Sequence, residues 1–262
     1  MVACATAIFL LSLQPLASDG WEGFAEPYQT VEVAAPEPGL ITEVLVEEGA
    51  RVQEGQSLLQ QDVALLESAL ATAQVRRDAT GRSSAAEVEL ALRKDRLQRL
   101  MKLFEKGSAS REEVDRAEAD VQIAEANLLT IQEEQKVYGL ECKRIEMQIK
   151  RRAVRSPIDG VVIKRHYEPG ESVSATDPTV ATVIRIDPLR VVVYVPANSI
   201  DALAVNGKVT VRLQNHAEDE AGTVEYIAPV VDAQSGTIKV HVLVPNPQNR
   251  IRSGSRCTIR LR

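Results

Sequence analysis

The side chains best able to bind a metal ion or attack a substrate are scattered through this 262-residue sequence. They are three histidines and three cysteines, namely His166, His216, His241, Cys4, Cys142 and Cys257. Neither set has the close spacing of metal ligands, and the three methionines form no cluster suited to a soft metal ion. We therefore predict no metal site, and the odd, sparse cysteines do not form a disulfide framework.

The motifs of the common catalytic classes are also missing from the sequence. There is no Gly-x-Ser-x-Gly nucleophile turn and no glycine-rich phosphate loop. The formal net charge of −6 argues against a general nucleic-acid-binding protein. The sequence thus predicts a protein that is not an enzyme and that has no cofactor and no nucleic-acid partner.

One short motif occurs twice, with each residue of the second copy at the same offset from its counterpart. The copies are Pro36, Gly39, Gly49 and Val52, then Pro157, Gly160, Gly170 and Val173. Each copy reads as a β-strand followed by a turn, and we assign the four glycines to the turns. Matching halves indicate one small β-domain with internal pseudo-symmetry, made from residues 30–61 and 153–186.

The segment between the two halves, residues 62–152, has the pattern of a coiled-coil α-hairpin. Apolar or small residues alternate at spacings of three and four from Val114 to Ile149, which is a heptad seam. Gly107 fits a helix stop, and Ser110 with Glu113 fits a capping box at the next helix start. The short connection makes the helices antiparallel, giving an arm of roughly 60–65 Å. Gly81 and Gly139 are expected to fray or bend the helices.

The two ends of the chain complete the predicted organisation. Residues 187–262 show short alternating runs typical of a small β-barrel, with a short helix capped by Asn198 or Ser199. Residues 1–29 are read as a signal peptide or uncleaved anchor plus a linker, because Ala3–Leu13 is almost entirely apolar. A buried N-terminal strand is the alternative. The expected fold class is elongated α+β: a split lipoyl-like sandwich, a helical hairpin and a barrel.

These parts together resemble the periplasmic adaptor subunits, or membrane fusion proteins, of resistance-nodulation-division efflux pumps in the haemolysin-secretion-D-like superfamily. The resemblance covers residues from about 30 to the end. The stretches that carry it are Pro38–Gln56, Ser156–Val173, Gly222–Pro229 and Val244–Pro247. At the hairpin tip, Arg99, Leu103 and Ser110 match the Arg-Leu-Ser pattern of adaptors that dock on an outer-membrane channel.

The resemblance implies a function without catalysis. It implies a periplasmic adaptor, associated with the inner membrane, that bridges an inner-membrane transporter to an outer-membrane channel protein. It also implies a ring-shaped homo-oligomer, often a hexamer, and a proton-driven efflux pump as the transporter. The sequence ends after the predicted barrel, so a membrane-proximal domain is not expected.

Two other functions are compatible with parts of this pattern. An adaptor for an ATP-binding-cassette exporter or a type I secretion system would share the fold and the tip. A lipoyl or biotinyl carrier domain would need a modified lysine at a hairpin turn, but Lys164 falls within a predicted strand. The tip pattern does not separate the two transporter classes.

Overall fold

The computed structural model describes residues 20–214 and 218–261. The predicted signal peptide or anchor at Ala3–Leu13 lies outside these residues.

The strands are β1 Trp21–Ala34, β2 Gly39–Val44, β3 Arg51–Val52, β4 Ser57–Gln61, β5 Ala153–Arg155, β6 Gly160–Arg165, β7 Ser172–Val173, β8 Thr179–Pro196, β9 Lys208–Leu213, β10 Asp219–Ile227, β11 Thr237–Val244 and β12 Arg256–Leu261. The helices are α1 Ala64–Asp78, α2 Gly81–Glu105 and α3 Arg111–Arg151, with a 3-10 helix at Ala197–Ala202. In the part of the chain described, no helix combines the length and apolarity that a bilayer crossing requires.

Six strands close into a barrel in the order β1, β12, β9, β10, β11, β8 and back to β1. Side chains alternate along each strand, so every second residue enters the interior. On β8 these inward residues are Val191, Val193 and Val195, each at most 1% exposed. Branched side chains suit a pleated wall, and they fill this barrel without a large aromatic core.

A second core lies in a sandwich formed by the two separated halves of the chain. One sheet has the order β5, β4, β2, β7, and the facing sheet is built from β6, β3 and parts of β1 and β8. Ile41, Leu58, Val162 and Val183 are at most 1% exposed between them. The predicted α+β fold class, with its sandwich, hairpin and barrel, is therefore confirmed.

Strand β1 differs from the predicted linker. Residues before Pro27 pair with β12 and β8 in the barrel, and residues from Gln29 onward pair with β8 in the sandwich. The two modules thus share one continuous ribbon. The strand was missed because its inward residues are small: a Cβ at Gly23 would lie 2.2 Å from the Val192 carbonyl oxygen, and Ala25 is fully buried.

The arm has one continuous helix and one broken helix. The predicted seam is buried on α3, at Val114, Ala117, Val121, Ala124, Ile131, Cys142 and Ile145. The expected interruption at Gly139 was wrong, because α3 runs through it; one glycine costs a helix only about 1 kcal/mol. On the other side the chain leaves the helix at Ala79 and Thr80, and Gly81 begins α2.

The short helix before β9 also differs from expectation. It is a 3-10 helix with Pro196 at its N-terminus, and neither Asn198 nor Ser199 caps it through a side-chain hydrogen bond. The first N–H of this helix, at Ala197, donates instead to the Gly236 carbonyl at 3.0 Å.

Candidate functional site

The tip of the arm is a tight connection between α2 and α3. Gly107 adopts a φ of 71°, where side-chain-bearing residues are strained. Its backbone N–H donates to the Phe104 carbonyl at 2.9 Å, and the Ser108 N–H donates to the Leu103 carbonyl at 2.8 Å. This pair of bonds is a Schellman motif, which satisfies the last carbonyls of α2.

Ser110 starts α3 with a complete capping box. Its hydroxyl oxygen accepts from the Glu113 backbone N–H at 3.2 Å, while Glu113 Oε2 accepts from the Ser110 backbone N–H at 2.7 Å. The Ser110 backbone N–H and then its hydroxyl donate to the ionised Glu113 carboxylate, and these two bonds lower the pKa of Glu113. The Ser110 side chain is therefore already engaged in local structure, which gives it a capping role whether or not it contacts a partner.

Arg99 and Leu103 lie exposed on the last turns of α2. The Arg99 guanidinium pairs with Asp95 on its own helix, at 2.6 Å, and Leu103 is 43% exposed. They are four residues apart and share one helix face. The structure thus brings the three predicted tip residues to one end of the arm; their docking role stays a prediction.

Two further tip residues were not identified from sequence as part of this surface. Met101 is 51% exposed and Phe104 is 41% exposed. Phe104 has the seven-residue spacing of Leu90 and Leu97, which predicts a seam position. It stays partly open because α3 begins only at Arg111, so the seam ends beside it. Gly107 and Ser110 mark the end of α2 and the start of α3 in the sequence, so they could have indicated that the seam ends beside Phe104.

The four motif glycines serve two different purposes. Gly49 and Gly170 have φ values of 88° and 92° and lie in turns. Gly39 and Gly160 are instead the first residues of β2 and β6. A Cβ at Gly160 would lie 2.3 Å from the carbonyl oxygen of Ile184, so this position needs glycine for close strand approach.

The pairing of the two half-motifs is reciprocal. Gly39 pairs with Val173 across β2 and β7, and Gly160 pairs with Val52 across β6 and β3. Each half therefore supplies the partner strand of the other. Because neither half can complete its own pairing, the sandwich holds both ends of the arm together.

The base of the arm is fixed by a buried polar joint. Arg152, just after α3, donates to the Pro38 carbonyl at 2.8 Å and pairs with Glu37 at 3.2 Å. Gln61, which is fully buried, donates through its amide to the Glu37 carbonyl at 2.9 Å. Its backbone N–H donates to the Arg152 carbonyl. These bonds tie the arm to the loop between β1 and β2.

Among the described residues, the side chains suited to chemistry remain apart; His216 and Cys4 lie outside those residues. His166 shares a 3.2 Å hydrogen bond with Thr182, and His241 stacks at a tilt on Tyr226, with ring centroids 5.2 Å apart. Burial, then the nearby Lys239 and Arg190, lower the pKa of His241. Burial also raises the pKa of the Cys257 thiol to about 11, which makes it a poor nucleophile. Within residues 20–214 and 218–261, no group of three or more His, Cys, Asp or Glu could hold a metal ion.

Two protein families match this chain over nearly its whole described length. Residues 29–183 match the family described as "CzcB-like, barrel-sandwich hybrid domain". Residues 189–262 match "CusB-like, beta-barrel domain".

Among curated proteins, the antibiotic efflux pump periplasmic linker protein ArpA of Pseudomonas putida is 27% identical. That alignment covers 96% of this chain and 66% of the relative. The multidrug resistance protein MdtE of Escherichia coli K12 is 27% identical, over 88% of this chain and 60% of the relative. The chain thus spans just under two thirds of the length of these relatives.

Solved structures agree in fold. MacA from Actinobacillus actinomycetemcomitans superposes with a TM-score of 0.78 at 23% identity, covering 92% of this chain and 76% of that one. The membrane fusion protein Spr0693 from Streptococcus pneumoniae R6 gives a TM-score of 0.60 at 15% identity, covering 92% and 97%. At these identities the likeness concerns the fold alone.

Proposed function

Because this chain belongs to the CzcB-like barrel-sandwich hybrid family and carries a CusB-like β-barrel, we propose that it is a periplasmic adaptor of an efflux pump. In this proposal it bridges an inner-membrane transporter, of the proton-driven class, to an outer-membrane channel. It works in the periplasm beside the inner membrane and carries out no chemistry of its own. The observation that carries the proposal is a long arm, fixed at its base by the sandwich, with an exposed tip.

The dimensions of the arm support a bridging role. Helix α3 has 41 residues without a break, which gives a length of about 60 Å. Both ends of the arm enter one sandwich, so a force at the tip is transmitted to a folded module and not to a free chain end. A rod of this kind can span a gap between two membrane proteins.

The tip supplies a surface that fits contact with another protein. Leu103, Met101 and Phe104 are between 41% and 51% exposed, although apolar side chains of this size are usually buried. Lys102 and Lys106 stand beside them and form no ion pair among the residues described. We assign the docking contact to the face with Arg99 and Leu103, with Phe104 beside it, whereas Met101 lies about 200° around α2 from Leu103. Ser110 acts mainly in helix capping.

The outer face of the arm supports assembly into a ring of several copies. On α3, Ile123, Val137, Leu140 and Met147 are 61–69% exposed. They follow heptad spacing two residues after the buried seam, which is about 200° around the helix. Helices α1 and α2 carry their own exposed apolar residues, Leu65, Val75, Val88 and Leu92. Side-by-side packing of arms would cover the exposed apolar residues of α3 and those of α1 and α2.

The charges of the two sides favour head-to-tail packing between copies. Residues 93–106 hold six basic and two acidic residues, whereas residues 111–134 hold eight acidic and two basic residues. Some of these charges already pair within one arm, as in Lys94 with Glu125 at 2.8 Å. A basic side meeting the acidic side of the next copy is a heterologous contact, and such contacts generate closed rings when the rotation closes.

The proposal is tested by export in cells that lack the native gene. Arg99→Asp and Leu103→Asp should abolish export and co-purification of the channel while the melting temperature stays within about 2 °C. Lys143→Asp is the control, since Lys143 is also an exposed basic residue and lies near the base. Full export with both tip variants would contradict docking through the tip, and export with the gene deleted would contradict the adaptor role itself.

A further inference from the structure

The arm contains one interruption, and it lies on only one of its two sides. Helix α1 ends at Asp78 and α2 begins at Gly81. Between them Ala79 has φ −70° and ψ 102°, an extended conformation. On the facing side α3 is unbroken, but it has Gly139 opposite, with Arg77 Cδ 3.9 Å from where a Cβ would stand.

The cause of the break is a one-residue shift in the apolar repeat. Along α1 the side chains turned toward α3 lie at spacings of three and four, at Leu66, Leu70, Ala73 and Arg77. If that spacing continued, the next side chains facing α3 would be at positions 80, 84 and 87. The row that faces α3 on α2 instead contains Ser83 and Ala86, each one residue earlier than expected. A continuous helix would turn one row about 100° away from α3. The two nonhelical residues absorb that difference.

Few interactions hold the break closed. Gln135 Nε2 donates to the Ala79 carbonyl at 3.1 Å, and Arg82 pairs with Glu134 at 2.8 Å, with both side chains more than 40% exposed. Thr80 makes no side-chain cap to α2. An exposed ion pair of this type contributes at most about 1 kcal/mol, so the closed geometry is weakly held.

Packing around the break is also incomplete. A cavity of about 190 Å³ lies beside the break and is bordered by Arg76, Ala79 and Gln135. This gap removes dispersion contacts that would otherwise stiffen the pair of helices. On the base side of the break, Ala73, Cys142 and Ile145 pack together and are each at most 7% exposed.

We propose that residues 79–80, facing Gly139, form a hinge that divides the arm into a basal and a distal block. The distal block consists of α2 with residues 111–134, and it tilts when the continuous helix α3 bends near Gly139. With 25 residues in α2, a tilt of 10° moves the tip by about 6 Å. The tip therefore samples a range of positions while the buried joint at Arg152 stays fixed.

The hinge is tested by distances between nitroxide labels on the purified full chain, with Cys4 replaced by serine. Labels at Val75 and Val88 straddle the break, and labels at Val88 and Met101 have the same thirteen-residue separation within α2. All three positions are at least 51% exposed, and Cys142 and Cys257 are buried. We expect the distance distribution across the break to be about twofold wider than the control.

A repaired variant separates a hinge from ordinary helix fraying. Inserting one alanine after Thr80, together with Gly81→Ala, restores the three–four spacing between the two rows. The distribution across the break should then narrow to the control width, with unchanged circular dichroism. Equal widths for the two pairs in the parent protein would overturn the hinge whatever the repaired variant does. If the repaired variant folds but its distance distribution across the break stays broad, then the register shift is not the cause of the hinge.

Discussion

At its base the arm is joined to the sandwich by buried groups that are far apart in sequence, whereas at its tip the chain turns through bonds between near neighbours. Arg152 and Gln61 contact residues 24 or more positions away, and Gln61 has no exposed surface. Gly107 and Ser110 make their bonds within five residues, in solvent. Substitutions at the base should therefore change stability, and substitutions at the tip should change recognition.

The largest loss of stability is expected inside the sandwich, where β6 approaches β8 closely. Gly160→Ala should lower the free energy of unfolding by about 3 kcal/mol, because the new Cβ would overlap the Ile184 carbonyl oxygen. Gly81→Ala is the control, since nothing lies within 4 Å of the added carbon there. Urea denaturation of both variants measures the difference. Equal midpoints would show that β6 can shift to make room.

The second largest loss of stability is expected at the polar joint formed by Arg152 and Glu37. Arg152→Ala should cost about 2 kcal/mol, because it removes charge-assisted hydrogen bonds to Pro38 and Glu37 from a side chain only 20% exposed. Arg151→Ala should cost less than about 0.5 kcal/mol, since that side chain is 64% exposed and 3.8 Å from Glu37. Thermal melting compares the two neighbours. A similar cost for both would mean that the joint contributes nothing specific.

The tip should show a smaller effect that is local to α3. Ser110→Ala should cost about 1 kcal/mol through loss of the cap, and Ser110→Asp should restore most of it. Chemical denaturation followed by circular dichroism at 222 nm measures both. If Ser110→Asp proves as costly as alanine, then the hydroxyl has a role beyond capping.

The smallest effect concerns pH. Hydrogen bonds from Ser110 lower the pKa of Glu113 in the folded protein. The ionised Glu113 carboxylate therefore stabilises the folded state at pH values above the ordinary glutamate pKa. This stabilisation is lost as pH falls through the lowered, folded value. Glu113→Gln should remove this part of the pH dependence, together with the small stabilisation that the carboxylate provides at neutral pH. An identical acid profile for parent and variant would show that the carboxylate is not coupled to folding.

The contrast between base and tip also explains what could be read from sequence. The end of α2 at Gly107 and the start of α3 at Ser110 are set by residues close in sequence. The residue types at these positions were therefore sufficient to predict both helix ends. The seam from Val114 to Ile145 was equally accessible, because its spacing is regular. The repeated glycines indicated a split sandwich since both halves preserve the same spacing.

Features that depend on distant contacts were not accessible in this way. Strand β1 was taken for a linker because Gly23 and Ala25 face inward, and only the nearness of β8 makes small residues suitable there. The joint of Arg152 with Glu37 unites residues that carry no pattern in sequence. The break at Ala79 follows from comparing two rows of side chains against α3, which requires knowing where α3 lies.

The most direct test of the account is photocrosslinking from the two ends of the arm in living cells. A photoreactive amino acid at Leu103 should form an adduct with an outer-membrane channel protein, identified by mass spectrometry. The same amino acid at Lys143 should form none with the channel. Export must remain active in both strains. A channel adduct from Lys143 but not from Leu103, in exporting cells, would contradict the assignment of the tip as the docking surface.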